Sequence, residues 1–204
     1  PGNYLPGFAG LQQDGSLVAC GFNIEQTFNT VLFQLDQAGS PQPGFGTDGL
    51  VIEETNFDEA ARDMALLEDG KILLGTGITI AGARDFGMLR YLPDGTLDGT
   101  FGNNGRVITD FGLKNTAHAI EIQEGGSILL CGFAGASPDH DYAIARYDSD
   151  GQLDSAFGED GVVLTDLGED DLLFMAALQP DGKLLCAGHS VLADNTAAFS
   201  MVRY

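Results

Sequence analysis

The apolar positions along this chain fall in short bursts that alternate with polar residues, and the bursts recur. Four segments, QDGSLVACGF, EDGKILLGTG, EGGSILLCGF and PDGKLLCAG, each set a polar turn before a compact apolar run. A second burst and a glycine-rich tail follow: VLFQLDQAGSPQPGFGTDGLVI, MLRYLPDGTLDGTFGNNGRVITD, IARYDSDGQLDSAFGEDGVVLTD, and finally only MVRY. The turn glycines Gly15, Gly70, Gly126 and Gly182 stand 55, 56 and 56 residues apart, and Phe45, Phe101 and Phe157 keep the 56-residue interval. A unit this small cannot bury its own apolar face, so the period predicts copies stacked on one another.

The third copy gives the elements most cleanly. Ala119-Ile120-Glu121-Ile122 alternates as a half-buried strand, Glu124-Gly125-Gly126 turns the chain, and Ser127 to Cys131 continues as a buried run. The equivalent turns carry Asp-Gly, which supplies the positive φ of a two-residue hairpin, so strands a and b are expected to pair. After a variable loop of about seven to ten residues, Tyr142 to Tyr147 alternates as strand c. Asp148-Ser149-Asp150-Gly151 then turns the chain, Leu153 and Phe157 plug a polar excursion, and Gly161 releases strand d, Val162-Val163-Leu164-Thr165. No stretch has the length and period of a helix.

Four short antiparallel strands per copy, with short connections, predict an all-β fold: a β-propeller-like array of four-stranded blades. It forms one repeat domain over residues 1–204, with blades near 5–54, 61–110, 117–166 and 173–204. The rival, a β-solenoid, usually repeats at about half this length. Because the fourth copy stops at the close of strand c, its blade is expected to be incomplete, with a free edge that templates pairing. The expected partner is therefore protein, through self-association or through another strand that completes the fourth blade. The opening PGNYLPGF falls in mid-pattern, as a processed or trimmed start would.

Composition narrows the partners. Nine basic residues against 30 acidic ones give a net charge of −21, too few cations for phosphate-backbone binding, so nucleic acid and anionic membrane are not expected. No apolar run reaches the roughly 18 residues of a membrane span, so membrane insertion is not expected either. The 29 glycines are about twice ordinary usage and fit many tight turns. Cys20, Cys131 and Cys186 have no CxxC or CxxH spacing, and buried free thiols are the expectation.

The run through ARYDSDGQLDSAFGEDGVVLTDLG, together with the SILLCG before it, resembles the delta-60 repeat family of β-propeller-like repeats in large secreted or surface-associated bacterial proteins. The resemblance covers nearly the whole chain and implies an extracellular or cell-surface location, but no defined chemistry. The first copy departs most, with Gln34-Leu35 in place of Arg-Tyr and Pro41-Gln42 in place of Leu-Asp.

Repetition assigns much of the remainder to scaffold. Arg90, Arg146 and Arg203 recur in register before Tyr91, Tyr147 and Tyr204, and are expected to brace a carboxylate such as Asp110 or Asp166 at the end of strand d. Asp148, Asp150 and Asp154 around a turn glycine form a candidate calcium set, although the bidentate Glu of a complete loop is missing. No cofactor is expected beyond that calcium. Loops b–c (residues 23–29, 78–85, 133–141 and 189–196) and d–a (53–62, 112–116 and 168–172) should share one face and gather Asp58, Glu59, Asp139, His140, Asp141, Asp170 and Asp171, a candidate binding surface. His118, His140 and His189 occupy different points of the repeat and form no recognisable triad. No residue is assigned as catalytic. The expected function is a non-catalytic module for protein binding or assembly; the alternatives are a carbohydrate-active enzyme using loop carboxylates and a calcium-stabilised structural protein.

Overall fold

The computed structural model describes residues 4–24, 28–55, 58–112, 114–192, 194 and 196–204. Among these described residues fifteen strands build four antiparallel sheets in chain order. The first holds β1 (Tyr4–Leu11), β2 (Leu17–Ile24), β3 (Phe28–Leu35) and β4 (Leu50–Glu53). The second holds β5 (Asp58–Leu66), β6 (Ile72–Ile80), β7 (Ala83–Tyr91) and β8 (Arg106–Thr109), and the third β9 (Asn115–Ile122), β10 (Ile128–Ala136), β11 (Asp139–Tyr147) and β12 (Val162–Thr165). The fourth has three strands, β13 (Asp170–Leu178), β14 (Leu184–Val191) and β15 (Ala197–Arg203). No described residue is helical.

Each sheet turns its first strand onto the sheet before it, so β5 packs against β1 to β3, β9 against β5 to β7, and β13 against β9 to β11. The alternation of each strand sends one set of side chains into each of these seams. Val18, Leu32, Phe45, Ile72, Leu74 and Leu89 fill the first seam, and Leu73, Phe86, Met88, Ile120 and Leu130 fill the second. Leu129, Cys131, Tyr142, Ile144, Leu173 and Cys186 fill the third. A side chain taken out of water in this way contributes roughly 1.5–3 kcal/mol, and stability resides in seams rather than in any one sheet. The three cysteines are free and buried, as their apolar settings suggest.

Polar clasps span the seams at one register. Tyr147 donates to Thr109 Oγ1 at 2.7 Å, and the Tyr204 hydroxyl lies 2.7 Å from Thr165 Oγ1. Tyr91 reaches Glu53 more loosely, at 3.5 Å. Gly46 and Gly102 donate their N–H groups to Asp94 and Asp150 of the next sheet, both at 2.9 Å. Gly151 must be glycine for two reasons: its φ is +84°, and a Cβ would come within 2.6 Å of Val107 Cγ2 on the preceding sheet.

Two local expectations are corrected. The a–b hairpins at Gly15, Gly70 and Gly182 enclose three residues rather than two, because Gln12, Leu67 and Gln179 donate to the carbonyls of Ser16, Lys71 and Lys183. Only the glycine of each Asp-Gly pair takes positive φ. The expected b–c loops over residues 78–85 and 133–141 shrink to two-residue turns, since Ile80 pairs with Ala83 and Ala136 with Asp139. Ala81 and Gly82, at φ of +51° and +86°, match the primed turn that suits strand twist, so pairing runs to the tips. Parts of the other expected loops, residues 25–27, 56–57, 113, 193 and 195, lie outside the described residues.

Candidate functional site

The third seam concentrates the acidic residues. Tyr142 pairs with Thr165, which brings Asp141 beside Asp166, and only four residues separate β12 from β13, which returns Asp171 to the same place. One carboxylate oxygen from each of Asp141, Asp166 and Asp171 lies within 4.8 Å of the others. Asp171 is fully buried, and its Oδ2 accepts from the N–H groups of Leu167 at 2.5 Å and Gly168 at 3.1 Å. Its Oδ1 has no hydrogen-bond partner among the described residues. Burial pushes the Asp141 carboxyl up, and Asp166, Asp139 and Asp171 push it further, against the pull of His140. Beside this cluster, His140 Nδ1 stands 2.5 Å from Asp170 Oδ1, an oxygen that also accepts from the His140 backbone N–H at 3.2 Å.

The equivalent positions of the earlier seams are less acidic or carry a donor. At the second seam they are Asp85, Asp110 and Asn115; the Asn115 side chain hydrogen-bonds Asp85, and its oxygen accepts from the Phe86 N–H. At the first they are Asn29, Glu54 and Glu59. Glu59 is fully buried with Arg106 Nη2 at 3.5 Å, and the same nitrogen bonds Glu53 at 2.6 Å. Burial pushes Glu59 up to about 7, with Arg106 pulling the other way and Glu53 adding to the rise.

The seven residues expected on one loop face therefore divide between seams and occupy strand ends. Asp58, whose Oδ1 accepts from the Phe28 N–H at 3.0 Å, and Glu59 belong to the first seam. Asp139, His140, Asp141, Asp170 and Asp171 belong to the third. Asp166, expected to brace Arg146, completes the third set instead; the 56-residue register with Asp110 and the short connection to Asp171 are the sequence signals of that place.

The arginine braces differ from expectation in their partners. Arg90 Nε bonds Asp98 at 2.8 Å, not Asp110, and Arg146 Nε bonds Asp154 at 2.8 Å, not Asp166. Each guanidinium also lies over a plug ring, Arg90 at 4.4 Å from the Phe101 centroid and Arg146 at 4.6 Å from that of Phe157. The excursion folds back on strand c, so the partner is eight residues downstream rather than at the end of strand d. Burial alone would raise Asp98, but its bonds to Thr100 and the Arg90 charge overrule it and bring the carboxyl down to about 2. Arg203 is exposed and has no ion pair among the described residues.

The candidate calcium set is not brought together. Asp148 accepts from the N–H groups of Asp150 and Gln152 at 3.0 and 2.8 Å, capping its own turn, while Asp154 is held by Arg146. Among the described residues the one group with cation-binding spacing is Asp141, Asp166 and Asp171. The three histidines, unrelated in sequence, gather around two phenylalanines. His118 stacks on Phe133 at 5.3 Å, His140 meets the same ring at 5.1 Å, and Phe174 sits 5.1 and 5.7 Å from His118 and His189. Burial, with Arg62 and Arg84 nearby, pushes His118 down to about 4.

Two segments, residues 67–101 and 126–157, match the family model described as "Domain of unknown function (DUF5122) beta-propeller". They cover turns, second bursts and excursions of the second and third sheets. Among solved structures, a protein of unknown function from Dyadobacter fermentans DSM 18053 superposes with a TM-score of 0.61 at 13% identity. The match covers 97% of this chain and 59% of that one, so the chain spans about three-fifths of that protein's length. No curated protein matches the chain. The four seamed sheets, the repeat register and these likenesses agree on the architecture: an all-β, β-propeller-like repeat fold with a three-stranded fourth blade.

Proposed function

We propose that this chain is a non-catalytic β-propeller module of a secreted or cell-surface bacterial protein, akin to the delta-60 repeats, that works in protein binding and assembly. One comparison of equivalent positions carries the reading. Phe86 and Met88 on β7, and Tyr142 and Ile144 on β11, are 0% exposed because the next sheet covers them. Phe199 and Met201 hold the same places on β15 and are 73% and 54% exposed. Bare apolar faces of this kind mark interaction surfaces.

Three further features support it. In the third sheet, Tyr142 to Ala145 pair with β12, whereas the matching stretch of β15 forms the sheet edge, open to an added strand. At the other end of the array, Ala19, Val31, Phe33 and Leu50 line an apolar depression of about 430 Å³ on the outward face of the first sheet. The acidic surface, at −21, favours solubility and partners that bring apolar or basic surface. Location and source rest on the family resemblance.

The carbohydrate-active alternative gains nothing from the carboxylates. Glycosidase pairs stand about 5–9.5 Å apart to leave room for the bond they cleave, whereas one oxygen from each of Asp141, Asp166 and Asp171 lies within 4.8 Å of the others. The assembly reading is tested by sedimentation velocity over a wide concentration range. Concentration-dependent association that Phe199→Glu with Met201→Glu abolishes supports it, and association indifferent to that double substitution removes its basis.

A further inference from the structure

Charge balance differs among the three seams. The first sets Arg106 beside Glu59, and the second uses the Asn115 amide to bond Asp85, so each supplies a donor to its buried acid. The third places Asp171 where the second has Asn115, and a carboxylate has nothing to donate. Among the described residues no Lys or Arg forms an ion pair with Asp141, Asp166 or Asp171. The fully buried Asp171 commits Oδ2 to two backbone donors and leaves Oδ1 without a partner among the described residues, so three acids converge at a seam where neither Lys nor Arg pairs with them, and the adjacent His140 is bonded to Asp170.

We infer that Asp141, Asp166 and Asp171 bind a hard divalent cation, calcium foremost, across the seam between the third and fourth sheets. Calcium accepts six to eight oxygens at about 2.3–2.6 Å, so ligands on opposite sides of the ion stand roughly 4.6–5.2 Å apart. Oxygens within 4.8 Å of one another fit inside that sphere. Asp166 is exposed and Asp141 half-buried, so water reaches the open side and completes the shell. The ion joins Asp141 of β11 and Asp166, just after β12, to Asp171 of β13. It makes the docking of the fourth sheet on the third dependent on calcium. The inference is independent of the assembly reading, because it concerns an internal seam.

The test strips the protein with chelator and titrates it with calcium chloride, and separately with magnesium chloride, by calorimetry and thermal unfolding. One high-affinity site per chain and a rise in melting midpoint are expected for calcium, with magnesium weaker. Asp171→Asn recreates the second-seam residue and keeps an oxygen for Leu167 and Gly168, so it retains the fold. Calcium affinity should drop by at least about tenfold in Asp171→Asn and in the exposed variant Asp166→Asn. Asp148→Asn with Asp150→Asn, at the turn, should leave the response intact. No saturable binding by the stripped protein overturns the inference. So does a calcium response unchanged in Asp171→Asn and Asp166→Asn, which would reflect diffuse screening of an acidic surface.

Discussion

Tyr147, at the end of β11, donates its hydroxyl to Thr109 Oγ1 at 2.7 Å, tying the third sheet to the last residue of β8 in the second. The same register gives Tyr204 with Thr165 and, more loosely, Tyr91 with Glu53. Tyr147→Phe keeps the ring and removes one bond, so it should cost about 1 kcal/mol in chemical denaturation. Tyr91→Phe, at the limit of bonding distance, should cost less. A double cycle with Thr109→Val should show the two Tyr147 and Thr109 losses to be coupled.

Arg90 and Arg146 make the same bond in different surroundings. The Arg90–Asp98 side chains are 7% and 4% exposed, and Arg90 also donates to the Ser149 carbonyl of the next sheet. Those of Arg146 and Asp154 are 28% and 34% exposed. Removing one member of a buried pair strands the other, at about 3–5 kcal/mol, whereas exposed pairs are worth roughly 0–1 kcal/mol. Arg90→Leu should therefore lower the urea midpoint severalfold more than Arg146→Leu, which loses mainly a ring contact.

The half-buried His118 and the fully buried Glu59 should shape the pH dependence in opposite senses. His118, at about 4 in the fold, lies below its ordinary 6.5, so the unfolded chain binds more protons in between and stability falls as pH drops through that window. Glu59, at about 7, lies above its ordinary 4.5, so the folded chain holds the extra proton and stability falls as pH rises through 4.5 to 7. The two windows overlap and oppose each other between 4.5 and 6.5, so His118→Gln should leave a stability that falls as pH rises from 4.5 to 7, and Glu59→Gln one that rises from 4 to 6.5, with a higher denaturation midpoint at pH 8. Urea titrations from pH 4 to 8 separate the two, and an NMR titration of His118 should show a midpoint near 4.

Gly151 and Gly182 share a positive φ but not a neighbourhood. Gly182 has open space where a Cβ would stand, whereas at Gly151 the atom would press on Val107 and the Phe101 ring. Gly182→Ala should cost only the left-handed penalty of about 1–2 kcal/mol. Gly151→Ala adds overpacking at a seam, typically about 1–3 kcal/mol more, and thermal unfolding of the two variants should rank accordingly.

The repeat made the scaffold legible. Period, Asp-Gly turns and alternating bursts such as Tyr142 to Tyr147 located the strands and the shortened fourth blade, because those signals are local. Contacts that close in three dimensions were harder to see. Recurrence pairs Arg146 with Asp166, yet the excursion folds back and offers Asp154 instead. Asp139 and His140 read as loop because nothing local announces that pairing continues to the tip of a two-residue turn. The aromatic cluster around Phe133 and Phe174 joins residues at different repeat positions, so no recurrence along the chain marks it.

Backbone hydrogen exchange at low and high protein concentration decides whether the bare face and edge of the fourth sheet form a docking surface. Residues 199–202 of β15 should gain protection as concentration rises, and Phe199→Glu with Met201→Glu should remove the gain. Exchange of β15 that is the same at every concentration would contradict self-association through this surface.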